Sequence, residues 1–507
     1  MTLVCVVLAW QIGAAYAQEE EPEYAGTREC RSCHRSYAND HEESPHGMTL
    51  IEVAEADADP EDIILGDFDT GEDVRMTTFS DGETRPFTMD DVFFTLGVGR
   101  HYQAYVAEVE DGVYRVLPAQ WSTTQETWVA LPLDGEWLDD PAYDFNRQCA
   151  GCHTTNFSAE EFTWDETGVQ CESCHGPGSI HIEFADDAGG SISEEEYADL
   201  SSAINFGLDP QICGQCHIRG THEATGLPMP VGYQPGDNLI GAETFTPFDT
   251  SEESVWYATG HASAPNMQYN EWMLSSHPSA LTDAQESEYF EAACMGCHSV
   301  AQRRATYLVE EGWVDEDEFE PLSLLDEYGY GVTCASCHDP HQTDNETYLL
   351  DEPVALCTSC HSDTDVTEGI HHPVLEVFEG QELVTEVEPV AGAHASAEEG
   401  PTCITCHMQT VETKNGPRES HTFHPVSPGA AADIPNLQDA CTTCHTDVED
   451  PVQMQQLIDS VQGNVQDRLA VARDAMDENT PEWVGQALAA GEGEGSLGVQ
   501  NYAYTNA

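Results

Sequence analysis

The sequence predicts a mainly α-helical fold with much irregular structure, organised by one repeated pentapeptide. The motif Cys-x-x-Cys-His occurs nine times in 507 residues and uses 18 of the 19 cysteines. Residues 50–145 contain no motif and alternate between apolar and polar side chains, which indicates strands. After the last motif, apolar residues from Met454 to Met476 recur at helical spacing. We therefore expect short motif-bearing helices, a small β-rich insert and a C-terminal amphipathic helix.

Each motif is the attachment site of a c-type haem. Its two thiols form thioethers with the macrocycle, and the following histidine binds the iron from the proximal side. A zinc site, a redox dithiol or a disulfide does not need a histidine directly after the second cysteine. The sequence thus predicts nine covalently bound haem c groups, with the chain folded around them.

The nine motifs are numbered 1 to 9 in chain order. The predicted thioether cysteines are Cys30/Cys33, Cys149/Cys152, Cys171/Cys174, Cys213/Cys216, Cys294/Cys297, Cys334/Cys337, Cys357/Cys360, Cys403/Cys406 and Cys441/Cys444. The predicted proximal ligands are His34, His153, His175, His217, His298, His338, His361, His407 and His445.

Spare histidines outnumber the positions on the opposite, distal side of the irons. Of 22 histidines, nine lie in motifs, so 13 remain for nine distal positions and every iron could be bis-histidine. His101 is more typical of a structural histidine than of a ligand. The predicted distal ligands are His46, His181, His261, His277, His341, His371, His372, His394 and His421.

The charge of the chain excludes one class of partner. The formal net charge is −79, from 94 acidic and 15 basic residues. Nucleic acid binding needs clustered cations, which this chain lacks. The acidic residues are spread along the chain, which favours the coat of a halophilic protein over a patch that steers one partner. Redox proteins or other cytochromes are the expected partners.

The first 17 residues predict export. They form an apolar run that ends in Ala-Tyr-Ala at positions 15–17, a signal-peptide cleavage pattern, although no cation precedes Arg28. No later apolar run approaches the length of a membrane span. Since c-type haem is attached outside the cytoplasm, we expect a periplasmic or extracellular protein with no transmembrane segment after signal removal.

The motifs and spacings divide the chain into six predicted parts. These are a signal peptide (1–17), a haem 1 segment (18–49), the β-rich insert (50–145), haems 2–4 with a distal-ligand helix (146–290), haems 5–9 (291–450), and the C-terminal helix and tail (451–507).

The order and flanks of the motifs resemble a group of large multihaem cytochromes c. This group includes cytochrome c nitrite reductase, hydroxylamine oxidoreductase and the nitrifier tetrahaem cytochrome. The resembling stretches cover most of residues 146–430 and read GVQCESCHGPGSIH, QYNEWMLSSH, YGVTCASCHDPH, HHPVLEVFEG, GPTCITCHM and SHTFHPV. The insert, with its IILGDF, resembles exported multihaem cytochromes of unassigned activity. The resemblance implies a mostly α protein with haems stacked in parallel and perpendicular pairs.

The chain departs from the enzymes of that group. Relatives that make ammonia from nitrite use a lysine at the catalytic iron, whereas this chain has no Cys-x-x-Cys-Lys and its single lysine is Lys414. No tyrosine matches the one that is cross-linked to haem in hydroxylamine oxidoreductases. Related chains often end in an element with a ligand histidine, where this chain has Gln500.

The leading hypothesis is an exported nonahaem cytochrome that carries electrons along mostly bis-histidine haems, in respiratory or extracellular electron transfer. One alternative is an oxidoreductase that acts on a small nitrogen or sulfur compound at one open haem, although the charge of −79 opposes the entry of anions. Another alternative is a subunit of an extracellular cytochrome filament or other homo-oligomer. The pattern favours an electron-transfer protein over a catalyst.

Mass spectrometry of the native product tests the motif assignment. We expect the mature chain to carry the added mass of nine haems, because each motif supplies two thioether bonds that survive denaturation. An unmodified chain, or zinc in place of iron, would contradict the assignment.

Overall fold

The computed structural model describes thirteen stretches of the chain. They are residues 22–56, 58–133, 135–188, 200–241, 244–287, 290–310, 329–341, 345–362, 372–381, 390–395, 400–435, 437–448 and 450–479. The predicted signal peptide, His371 and the tail from residue 480 lie outside them.

The described residues form a mixture of short helices and small antiparallel sheets. The α-helices are Thr27–Cys33, Arg35–Glu42, Pro60–Ile63, Phe145–Gln148, Ala150–His153, Cys171–His175, Ser179–Ala188, Pro210–His217, Gln268–Trp272, Ala280–Gln285, Met295–His298, Val300–Glu310, Pro353–Thr358, Val374–Glu379, Cys403–His407, Pro428–Ala431 and Pro451–Asn479. The 3₁₀ turns are Met89–Asp91, Pro141–Tyr143, Ala292–Cys294, Cys334–Ser336 and Glu346–Tyr348. Sheet is therefore more prominent than a mainly α fold would suggest.

The strands are numbered in chain order. They are β1 (Leu50–Glu52), β2 (Met76–Thr78), β3 (Thr84–Pro86), β4 (Phe94–Leu96), β5 (Tyr102–Glu110), β6 (Val113–Val116), β7 (Ala119–Ser122), β8 (Thr127–Ala130), β9 (Thr154–Thr155), β10 (Glu166–Thr167), β11 (Gly220–His222), β12 (Phe245–Pro247), β13 (Thr410–Thr413) and β14 (Gly416–Glu419).

The largest sheet has six strands and lies between Leu50 and Ala130. Its order is β1-β4-β5-β7-β8, and β6 also pairs with β5. The β5–β6 turn contains Asp111-Gly112, where Gly112 has a φ of 73° that a side chain would strain. The remaining sheets described are two-stranded hairpins or ribbons: β2–β3, β9–β10, β11–β12 and β13–β14.

An aromatic core on the six-stranded sheet surrounds a buried arginine. Arg75 is 2% exposed and donates hydrogen bonds to the carbonyls of Phe68, Thr70 and Phe87. Its guanidinium also lies 5.3 Å from the Trp128 ring centroid. A buried cation is tolerated when its donors are satisfied in this way. Trp128 in turn anchors the loop before β2 through its N–H, which donates to Asp67 O at 2.7 Å.

The C-terminal helix, Pro451–Asn479, is largely solvent-facing over its described side chains. Met454 is buried at its start. Farther along, the exposed fractions of Leu457, Val461 and Leu469 are 52%, 56% and 60%. Among the described residues, no helix is both long enough and apolar enough to cross a bilayer.

One buried carboxylate attaches the N-terminal segment to the motif 3 helix. Glu172 is 2% exposed. Its Oε1 accepts from the backbone N–H groups of Ala25 and Gly178 at 2.8 Å, and its Oε2 accepts from Gly26 at 2.7 Å. A carboxylate can accept all three bonds, whereas an amide offers a single acceptor oxygen.

We expect Glu172→Gln to lower the free energy of unfolding by about 1–3 kcal/mol, because one end of the amide then faces a buried N–H donor. Denaturant unfolding of the haem-loaded protein would measure the loss. Hydrogen exchange should accelerate at Ala25 and Gly26. Glu161→Gln removes the same charge at an exposed position and is the control. Equal effects of the two substitutions would contradict this role for Glu172.

Candidate haem-binding sites

The motifs fold locally as single helical turns. The backbone N–H of His34 donates to Cys30 O at 2.9 Å, and that of His338 donates to Cys334 O at 2.9 Å. Motifs 7 and 9 contain the same bond. A turn of this kind brings two thiols and an imidazole to neighbouring positions, as attachment to one macrocycle requires.

Seven motif histidines lie opposite a histidine from outside the motifs. The pairs, with their ring-centroid separations, are His34–His181 (6.2 Å), His175–His341 (5.9 Å), His217–His46 (6.4 Å), His298–His372 (6.0 Å), His338–His421 (6.4 Å), His361–His277 (6.3 Å) and His445–His394 (6.0 Å). Ordinary aromatic packing gives no reason for every pair to combine one motif histidine with one from elsewhere.

The separation matches two imidazoles bound to one iron. A histidine nitrogen binds a metal at about 2.0–2.1 Å, and the ring centroid lies roughly 1 Å behind that nitrogen. Two axial ligands on opposite faces of a haem therefore have centroids about 6 Å apart. Each of the seven pairs could hold one haem iron, with both faces occupied.

Hydrogen bonds to the second ring nitrogen orient many of these imidazoles. Nδ1 of His175 lies 2.6 Å from Asn205 O, Nδ1 of His298 lies 2.8 Å from Ala280 O, and Nδ1 of His338 lies 2.9 Å from Thr347 O. Nδ1 of His181 and His421 likewise approach backbone carbonyls. A carbonyl acceptor places the proton on Nδ1 and leaves the Nε2 lone pair for a metal.

Burial keeps several of the paired imidazoles neutral. It lowers the pKa of His46, His175 and His421 to about 4, because the imidazolium form loses its hydration inside the protein. Burial also lowers the pKa of His277 to about 4. The neutral form is the one that binds a metal.

Most of the predicted distal histidines lie opposite a motif histidine. His46, His181, His277, His341, His372, His394 and His421 each lie opposite a motif histidine. His371 lies outside the described residues. Its neighbour His372 has a φ of 51°, in the left-handed region that few residues other than glycine adopt.

His261 differs from the expectation that it is a distal ligand. It is 2% exposed, but its Nδ1 lies 3.0 Å from Thr259 Oγ1 and its Nε2 lies 3.0 Å from His424 O. Both ring nitrogens therefore have hydrogen-bond partners within the protein, and neither is left to bind iron. The Gly-His-Ala context is typical of a ligand site, whereas the described contacts of His261 are those of a structural histidine.

Motifs 2 and 8 differ from the other seven. Among the described residues, no histidine ring packs opposite His153 or His407 at the separation seen in the pairs. His153 Nδ1 lies 2.7 Å from Thr49 Oγ1, and its pKa is lowered to about 4, mainly by burial and also by the nearby cation of Arg219. His407 Nδ1 lies 3.0 Å from Phe423 O.

The cysteines of different motifs contact each other. Cys30 of motif 1 lies against Cys171 of motif 3, Cys152 of motif 2 against Cys216 of motif 4, Cys213 of motif 4 against Cys334 of motif 6, Cys297 of motif 5 against Cys360 of motif 7, and Cys357 of motif 7 against Cys403 of motif 8. Weaker electrostatic coupling joins Cys174 to Cys213, Cys337 to Cys357, and Cys406 to Cys444. Every motif thus has at least one neighbouring motif.

Several polar residues around the pairs were not predicted from the sequence. Glu271 is 4% exposed and accepts from the backbone N–H groups of Ala262 and His421 at 2.8 and 2.7 Å, so it fixes the segment that carries His421. Asp339 lies 2.8 Å from His341 Nδ1. Its position two residues before His341 is the sequence feature that could have indicated this contact. Spacing alone does not distinguish a carboxylate that contacts a ligand histidine from one that faces solvent.

Several buried polar atoms lack a hydrogen-bond partner in the described part of the chain and could donate to the propionates of c-type haem. Arg31 Nε, Arg304 Nη1 and the Tyr233 hydroxyl are buried without a hydrogen-bond partner among the described residues. Buried donors rarely remain unpaired. Each haem contributes two carboxylates that could accept from such groups. The residues present therefore fit the cofactor that the motifs imply.

Two family models match parts of the chain. A doubled Cys-x-x-Cys-His motif matches residues 329–366, and the family of cytochrome c554 and c-prime matches residues 129–176. Comparison with curated proteins gives no match. The matches support covalent c-type haem and electron transport. A specific relation to nitrite reductase or hydroxylamine oxidoreductase stays a prediction.

Two solved structures resemble the whole chain in fold. The outer cell wall cytochrome OcwA aligns with a TM-score of 0.68 at 23% identity, over 95% of this chain and 98% of that one. The undecahaem cytochrome from the S-layer of Carboxydothermus ferrireducens aligns with a TM-score of 0.51 at 19% identity, over 96% of this chain and 69% of that one. The mixed helix and sheet of this chain is thus a fold found in multihaem cytochromes.

Proposed function

We propose that this chain, a multihaem c-type cytochrome, carries electrons outside the cytoplasm along nine closely spaced haems. The observation that carries the proposal is the set of seven histidine pairs, each formed by one motif histidine and one other. An iron with two imidazole ligands has no free face, so it exchanges electrons without binding a substrate.

The cysteine contacts support a particular order of haems. Because each haem is bonded to the sulfur atoms of its motif, motifs whose sulfur atoms touch hold haem edges close together. The five cysteine contacts and the three weaker couplings join motifs 1-3-4-6-7-8-9 in one path, with motif 2 attached at motif 4 and motif 5 at motif 7. No motif is isolated, as electron transfer through the whole chain requires.

The ends of the path are its most accessible parts. Cys33 in motif 1 and Cys444 in motif 9 are exposed, whereas the other motif cysteines are half-buried. We infer that electrons enter and leave near haems 1 and 9. The names of the two similar structures, one from an outer cell wall and one from an S-layer, support an extracellular location. The acidic surface would favour a cationic redox partner at either end.

Removing single haems tests the order. The protein would be attached to an electrode through a tag placed before residue 22, next to motif 1, and the charge passed at fast scan rates integrated. We expect Cys334→Ala/Cys337→Ala, which removes haem 6 from the path, to leave only haems 1 to 4 electroactive. Cys294→Ala/Cys297→Ala removes haem 5 from a branch and should cost one haem. Equal losses in the two variants would contradict the path.

A second candidate function is suggested by motif 2. His153 faces no other described histidine, Arg219 lies beside its motif, and the haem would form the end of a branch. A buried open iron next to a cation could bind a small nitrogen or sulfur compound and exchange electrons with it.

The oxidised spectrum distinguishes the two candidates. For electron transfer alone we expect all iron to be low-spin and unchanged by cyanide and nitrite, because seven irons have paired histidines and haems 2 and 8 would take a sixth ligand from elsewhere in the chain. If haem 2 is open, we expect one ninth of the iron to be high-spin and its spectrum to shift when cyanide is added. Arg219→Gln should then weaken nitrite binding to this haem. High-spin iron exceeding the two haems of motifs 2 and 8 would contradict the seven ligand pairs.

A further inference from the structure

The pair His175–His341 has a hydrogen-bonding environment unlike that of the other pairs. Asp339 Oδ1 lies 2.8 Å from His341 Nδ1 and also accepts from the His341 backbone N–H at 3.1 Å. The other axial histidines whose Nδ1 bonds are described contact backbone carbonyls, a hydroxyl or a side-chain amide. Among these described contacts, His341 is the histidine whose Nδ1 faces a carboxylate.

This carboxylate is held in place from its other side. Asp339 Oδ2 accepts from Arg304 Nη2 at 2.8 Å, and the Asp339 and Arg304 side chains are 9% and 13% exposed. The Asp339 backbone N–H donates to Tyr348 O at 2.8 Å. Being fixed and shielded from water, the carboxylate acts on His341 with little screening by solvent.

We propose that Asp339 is a positioning residue that sets the potential of haem 3 below that of its neighbours, and that Arg304 limits the effect. The inference rests on the proposed function, in which His175 and His341 are the axial ligands of haem 3. A carboxylate that accepts the Nδ1 proton of a ligand histidine draws that proton away from the ring and makes Nε2 a stronger electron donor. A stronger donor stabilises ferric over ferrous iron, which lowers the reduction potential.

Arg304 opposes this effect through the shared carboxylate. Its guanidinium withdraws charge from Asp339, so less negative charge remains for the bond to His341. The pair thus gives haem 3 a potential that two substitutions can move in opposite directions. Since haem 3 lies between haems 1 and 4 on the proposed path, its potential controls how readily electrons pass from the N-terminal haem into the rest of the chain.

Spectroelectrochemical titration of the full haem-loaded chain tests the proposal. We expect Asp339→Asn to move one ninth of the haem absorbance change to a more positive potential, because a neutral amide replaces the carboxylate acceptor at nearly the same shape. Arg304→Gln should move one ninth of the change to a more negative potential. A structural disturbance alone would not produce shifts of opposite sign.

Glu419→Gln is a matched control. Glu419 also lies two residues before a distal histidine, but it is the Glu419 backbone carbonyl that contacts His421 Nδ1, at 3.0 Å. The substitution removes the same charge from a more exposed side chain and leaves that bond unchanged, so any shift should be much smaller than that of Asp339→Asn. A shift equal to that of Asp339→Asn, or no shift in Asp339→Asn, would overturn the proposal. If Asp339→Asn yields no haem-loaded protein, the negative shift of Arg304→Gln supports the proposal and its absence overturns it.

A ligand substitution separates this inference from the proposed function. His341→Met should move one ninth of the near-infrared magnetic circular dichroism from the bis-histidine to the histidine–methionine band. If that change is absent, His341 is not a ligand and the pairing itself fails. If it is present while Asp339→Asn leaves the potentials unchanged, the haem chain stands and only the role of Asp339 is wrong.

Discussion

The structure depends on one recurring distance, about 6 Å between the centroids of two imidazole rings. It recurs seven times, with ring planes that range from nearly parallel at 11° to nearly perpendicular at 87°. The separation is kept while the orientation varies, which is what binding to a metal through one nitrogen allows. Each pair connects parts of the chain that local structure could not bring together: His34 with His181, or His338 with His421. The short helices and hairpins between them serve mainly to bring the rings into position.

The chemistry of the interior differs sharply from that of the surface. The chain carries a formal charge of −79, yet burial keeps paired histidines such as His46 and His175 neutral by lowering their pKa. The few buried charges have specific partners, as Arg75 has its three carbonyls, Glu172 its three backbone N–H groups and Asp339 its arginine. Charge inside the protein is thus placed where it anchors a segment or acts on a ligand, and the acidic groups that face solvent are screened by counterions.

Much of the candidate site could be predicted from the sequence because haem attachment is local. A five-residue motif is enough to predict each proximal histidine, and short contexts such as Ser-Pro-His and His-His-Pro indicated histidines that the fold brings opposite motif histidines. Which histidine meets which motif could not be predicted, because the pairing depends on tertiary contacts between distant segments. His261 shows the limit: its local context resembles that of a ligand, but both nitrogens bond to protein atoms.

The pairing of distant histidines also implies that the folded state depends on the supply of iron. His46 comes early in the chain and His217 much later, so an iron bound by both rings would cross-link the segments that carry them. A chain made while iron is scarce would lack these cross-links and would be more readily cut by proteases. The amount of finished protein would then follow the iron available to the cell rather than the rate of its synthesis.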